Sequence, residues 1–219
     1  MQKFDTPAPV FAVLDIPAGR VQFIAADRAV TTVEVLPANV SKSRDVKAAE
    51  QTEVTYVDGV LRIETRAPKN QYFGPSGAIE VTVQLPAGSR VDAKTAAAEL
   101  RGVGRLGDVT FEGAYRQIKI DEAASLHLTA VDGDVEVGRL NGPAEISTTR
   151  GDIRIAEAML GTVVLRTQSG SISVASGASA ALDARTDYGS ISNALKNDGT
   201  TVLDIRATTS HGDITARSL

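Results

Sequence analysis

Five copies of one short phrase occupy the second half of the 219-residue chain. Each copy is a glycine, then Asp or Ser, then a β-branched residue, one further residue and usually another apolar one. The copies are Gly133-Asp134-Val135-Glu136-Val137, Gly151-Asp152-Ile153-Arg154-Ile155, Gly170-Ser171-Ile172-Ser173-Val174, Gly189-Ser190-Ile191-Ser192-Asn193 and Gly212-Asp213-Ile214-Thr215-Ala216. The steps between their glycines are 18, 19, 19 and 23 residues. A fixed period near 20 predicts a solenoid, in which each repeat is one structural rung. Such a chain is all-β and spreads its polar groups along rows, which removes most enzyme readings.

The phrase continues upstream in weaker form. Gln117-Ile118-Lys119-Ile120 follows it with Arg116 in the glycine slot, and Ala97-Ala98-Glu99-Leu100 follows it more faintly. The Asp/Ser slots then fall at 97, 117, 134, 152, 171, 190 and 213, about seven rungs with degenerate first copies. Five residues before each glycine stands Leu128, Ile146, Leu165, Ala184 or Ala207; three before it stands Ala130, Thr148, Thr167, Thr186 or Thr209. Each rung therefore carries a second strand. Stacking at about 4.8 Å turns the Val and Ile positions into apolar columns and the Thr positions into a hydroxyl ladder, bonded Thr to Thr. Glycine supplies positive φ at the corner, and Asp or Ser after it hydrogen-bonds local backbone. Right-handed coiling is expected, as parallel crossovers prefer.

Residues 1–90 alternate without a tight repeat and predict an N-terminal β-rich capping region, with the solenoid over 91–219. Val10–Ile16, Val21–Ile24, Thr32–Leu36, Thr52–Val57, Val60–Thr65 and Ile79–Leu85 read as strands. Pro17-Ala18-Gly19 reads as a turn, echoed by Pro86-Ala87-Gly88. Asp58-Gly59 is a two-residue hairpin signal. Ser41–Gln51 is polar with room for one helical turn, and Pro68–Gly77 is a loop by its Pro and Gly content. Its adjacent aromatics, Tyr72 and Phe73, form a candidate contact loop.

Composition narrows the partners. Aromatics are 4% of the chain and Trp is absent, so the core is built from Val, Ile, Leu and Ala, which suits narrow rungs. A net charge of −4 with no basic patch argues against nucleic acid. The absence of cysteine excludes disulfides and thiolate metal sites. Neither a basic-then-apolar leader at Met1–Pro9 nor an apolar run long enough to span a bilayer is present, so no membrane insertion and a cytoplasmic location are expected.

Four arrangements hint at chemistry, and each has a plainer explanation. Gly102-Val103-Gly104-Arg105-Leu106-Gly107 spells G-x-G-x-x-G, but Asp108-Val109-Thr110-Phe111 after it reads as a strand, so no helix N-terminus is expected there for a pyrophosphate. Asp134, Asp152 and Asp213 share one slot, yet Ser171 and Ser190 interrupt it and calcium needs six to eight oxygens. His127 and His211 lie rungs apart, and Ser125 neighbours His127 only along the chain. Arg154, Arg166, Arg185 and Arg206 decorate successive rungs beside Glu136, Asp183 and Asp204, a solvated face that could also seat an acidic polymer. No catalytic residue, cofactor or metal is expected.

Thr148-Thr149-Arg150-Gly151-Asp152-Ile153-Arg154-Ile155 and Thr167-Gln168-Ser169-Gly170-Ser171-Ile172-Ser173-Val174, with the lead-in Leu85-Pro86-Ala87-Gly88, resemble the bacterial "putative adhesin" family, a β-repeat domain of unknown function. The opening Phe4-Asp5-Thr6-Pro7 and Asp45–Gln51 look like its cytoplasmic actinobacterial branch. The resemblance covers essentially the whole chain; it implies a parallel β-solenoid and no catalytic residues. The expected role is a structural or interaction scaffold. A repeat strand runs to Ala216, so the final rungs, with Ile191, Leu203, Ile205 and Ile214, are expected to expose an apolar end that self-associates. A polar flap at Lys196–Gly199 is the counter-expectation. A lateral face that binds a protein or polysaccharide is the alternative role.

Overall fold

The computed structural model of the protein describes residues 1–66, 77–113 and 116–219; Tyr72 and Phe73 lie outside the described residues. The first part comprises β1 (Gln2–Asp5), β2 (Phe11–Ala26), β3 (Val30–Pro37), α1 (Ser43–Glu50), β4 (Thr52–Val57), β5 (Val60–Thr65) and β6 (Ile79–Pro86). Two long strands follow, β7 (Arg90–Glu112) and β8 (Ile118–Asp132). The repeats then alternate longer and shorter strands: β9 (Val135–Leu140), β10 (Ala144–Arg150), β11 (Ile153–Ala158), β12 (Gly161–Ser169), β13 (Ile172–Ser176), β14 (Ala180–Tyr188), β15 (Ile191–Ala194), β16 (Leu203–His211) and β17 (Ile214–Ser218). Among the described residues the protein is all-β apart from α1.

The strands form two parallel ladders joined at the repeat corners. In one, Phe111, Leu128, Ile146, Leu165, Ala207 and Ala184 are successive partners, contributed by β7, β8, β10, β12, β16 and β14. In the other, Val21, Leu100, Ile118, Val135, Ile153, Ile172, Ile214 and Ile191 are partners along β2, β7, β8, β9, β11, β13, β17 and β15. The inward rows make one continuous core in which Leu100, Ile118, Ile146, Ile153, Leu165 and Ile172 are almost fully buried. Each such side chain contributes about 1.5–3 kcal/mol by leaving water.

The spatial order of the layers departs from chain order at both ends. β16 lies between β12 and β14, and β17 lies between β13 and β15. The last repeat of the sequence is thus the second-to-last layer, and the outermost layer is β14–β15. At the other end β2 pairs with β5 and β6 on one side and β7 on the other, so the first long strand is also one layer in. Beyond it the pairing turns antiparallel: β4 with β5, and β3 with β6 and β1. α1 packs against β3, β4 and β6. Its buried Asp45 accepts a hydrogen bond from the Ala78 amide at 3.0 Å.

Several local expectations change. Pro17-Ala18-Gly19 is a bend inside the unbroken β2, with φ +133° at Gly19, because β7 pairs with the strand on both sides of the bend while β5 holds it before the bend and β6 after it. Asp58 and Gly59 both take positive φ and close the β4–β5 hairpin, as their sequence implied. The helix is eight residues, longer than one turn. The faint first copy sits two residues out of the expected register: Leu100, not Ala98, pairs with Ile118. Side chains alternate with period two, so a slip of two preserves the inward face and leaves no mark in the pattern. The β2–β7 ladder crosses residue 90, so residues 1–90 share the sheet with the repeats.

Candidate functional site

The repeat corner is built from three hydrogen-bonding residues per layer. Gly133, Gly151, Gly170, Gly212 and Gly189 all have φ between +129° and +159°. A Cβ on Gly151 would lie 2.2 Å from the Gly133 carbonyl oxygen; on Gly170, 2.1 Å from that of Gly151; on Gly212, 2.1 Å from that of Gly170. The corner backbones stack too closely for any side chain. The Thr row serves these carbonyls: the hydroxyls of Thr167, Thr209 and Thr186 donate to Gly151, Gly170 and Gly212 at 3.2, 2.9 and 2.9 Å. This corrects the expected Thr-to-Thr ladder. For these three the acceptor is the part-buried glycine carbonyl of the adjacent layer, whereas Thr148 donates to Arg150 O at 3.0 Å.

The Asp/Ser row is a second ladder. Asp134 accepts from the Asp152 amide, Asp152 from the Ser171 amide and Asp213 from the Ser190 amide, each at 2.8 Å. Ser171 Oγ accepts from the Asp213 amide at 3.3 Å. Asp213 also accepts from Ser190 Oγ at 2.9 Å, and these bonds from Ser190 hold its carboxyl below the usual Asp range. The slot carboxylates are therefore inter-layer ties rather than free corner groups. Among the described residues no three His, Cys, Asp or Glu side chains converge as metal ligands.

Other sequence candidates separate in space. The Gly102–Gly107 run lies inside β7, with strand continuing after it. Ser125 Oγ donates to Asp108 at 2.7 Å, whereas His127 faces Glu145 at 3.7 Å. His211 stacks on Tyr188 with ring centroids 5.0 Å apart. Arg166 donates to Glu145 at 2.9 Å and Arg206 to Asp204 at 3.1 Å. A shallow groove of about 440 Å³ crosses the outer face of β8, β9, β11 and β13, with Gly138, Ala156 and Ala175 on its floor. Lys119 and Glu136 pair at 2.8 Å on its wall, a bond that lowers the Glu136 pKa, and Arg154 and Arg217 stand farther along.

The proposed end residues divide. Leu203, Ile205 and Ile214 are buried within the stack, because β16 and β17 have a neighbour on each side. Only Ile191, 47% exposed, lies in the outermost layer. Around it Ser192, Asn193 and Ala194 are exposed and Tyr188 is 71% exposed, while Leu182 and Ala184 are partly buried. The Lys196–Gly199 segment reaches only the start of β14: Lys196 O accepts from the Ala180 amide at 3.1 Å and the Asp198 amide donates to Ser179 Oγ at 3.1 Å. The edge character of β14–β15 was not visible in the sequence; the long 23-residue last step was its one trace.

No curated protein matches the chain. Solved structures to which the chain is similar include a "putative adhesin" from Bacteroides fragilis NCTC 9343, 16% identical with a TM-score of 0.45 over 98% of this chain and 95% of that one. A "putative cell adhesion protein" from Clostridium sporogenes ATCC 15579 is 12% identical with a TM-score of 0.36, over 100% and 98% of the two chains. The profile of one family, Toastrack DUF4097, matches residues 14–218. That span takes in both ladders, the corner row and the outermost layer, and the chain belongs to the Toastrack DUF4097 family.

Proposed function

We propose that the protein is a non-enzymatic interaction scaffold, a β-solenoid of about seven rungs that self-associates through its β14–β15 end. The observation that carries this reading is the open strand edge there, with Ile191 and Tyr188 exposed beside it. Unpaired edges template pairing with another chain unless they are short, charged or covered. Spread-out polar rows, in place of a convergent acid–base or nucleophile cluster, favour a non-catalytic role. Sedimentation velocity from low to high micromolar concentration tests it: concentration-dependent dimers or longer species support the scaffold, and a strict monomer sinks self-association. The groove over Gly138 and Ala156 favours a second reading, a lateral face for a protein or polysaccharide partner. For that reading, substitution of Arg154 and Arg217 removes capture of the partner.

A further inference from the structure

The outermost strand is complementary to itself. β14 bonds to β16 along one edge only: the Leu203 amide donates to Ser179 O, and the Ala180 amide points away from β16. Backbone groups alternate sides along a strand, so the amides and carbonyls of Leu182, Ala184 and Thr186 aim out of the stack. No strand pairs with that edge among the described residues. On the solvent face of the same strand, Asp183 and Arg185 are exposed.

We infer that two copies dock head to head, with β14 antiparallel to β14 of the second copy about a two-fold axis at Ala184. The inference rests on the end-association reading above and names the partner and register. In this register Ala184 exchanges backbone hydrogen bonds with its own counterpart, and Leu182 does so with Thr186 of the second copy. Asp183 then stands beside Arg185 of the second copy, and the symmetry makes this contact twice. The neighbouring registers that keep the outward backbone groups paired are worse. One sets Asp183 against Asp183; the other sets Arg185 against Arg185 and Asp183 against Asp187. Like charges directly opposite destabilise a strand pair, and opposite charges stabilise it. The charge order Asp183-Ala184-Arg185 thus favours this register over its two neighbours, and the two-fold symmetry is that of an isologous interface.

A charge swap tests this on the full chain. Sedimentation velocity is run on the wild type, Asp183→Arg, Arg185→Asp and the double exchange, with circular dichroism to confirm folding. Each single substitution sets like charges opposite one another and is expected to weaken the dimer by about tenfold or more. The double exchange restores complementarity and is expected to recover wild-type affinity. Ala184→Pro removes an outward amide, leaves the bonds to β16 in place and abolishes the dimer. A wild type that stays monomeric overturns both this inference and the end-association reading. An oligomer lost with Ala184→Pro but indifferent to the charges, or not rescued by the double exchange, overturns the register alone. An oligomer indifferent to all four variants overturns association through β14.

Discussion

The corner glycines show how one repeat letter is fixed by its neighbour a layer away. Gly151 combines φ +129° with an approach of 2.2 Å between a built Cβ and the Gly133 carbonyl. Gly151→Ala is expected to cost about 1–3 kcal/mol from backbone strain alone, with the steric contact added to it. Gly177, with nothing within 4 Å, is the control, and Gly177→Ala should stay within about 0.5 kcal/mol in denaturant unfolding. Equal effects at the two sites would refute the stacking argument. Asp213 carries a pH dependence. Its folded pKa lies below the ordinary value because Ser190 donates to the carboxylate twice. The stabilisation is therefore complete above the ordinary carboxylate range and is lost as pH falls through the depressed folded value. Thermal melts should show the wild type losing more stability than Asp213→Asn on acidification below about pH 4; parallel curves would remove Asp213 from the tie. Both positions were legible as a repeat. Their bonding partners were not, because a single strand pattern does not say which carbonyl of the layer below sits beside a hydroxyl.

At the scale of elements, the sequence announced the strands and concealed their order. β14–β15 and β16–β17 carry nearly the same side chains in the same rows: Ala184 with Ala207, Thr186 with Thr209, Ile191 with Ile214. Exchanging the two layers keeps every inward residue inward, so periodicity is blind to it. Only the extra residues between Ala194 and Leu203, which step back past one layer, record the exchange. The consequence is measurable by hydrogen exchange. Amides of Ile205, Ala207 and Ile214, in strands that have a neighbour on each side, should be protected well beyond those of Leu182, Ala184 and Ile191 at the open edge. Protection that simply declines along the chain toward β17 would contradict the inserted layer. The same burial changes what a charge at Ile214 does. It strikes the core rather than an end face, so loss of fold, not loss of an oligomer, is the expected result.

For the whole molecule, the two ends of the stack differ in kind. One end turns antiparallel through β3, β4 and β1 with α1 against β3 and β4, and the other, among the described residues, stops at parallel strands with an open edge. The fold class and most of the core were legible in the sequence, since Val, Ile and Leu recur at a fixed step. The candidate end was legible only in Ile191, because an end is a property of layer order and not of any residue. The exchanged order also separates the sequence of synthesis from the sequence of space. During synthesis β14 and β15 are made before the layer that must lie beneath them. The native order is therefore reached only once Leu203–Ser218 has been made and lies between β12–β13 and β14–β15, so the last repeat to be synthesised is a keystone that sets which layer faces outward.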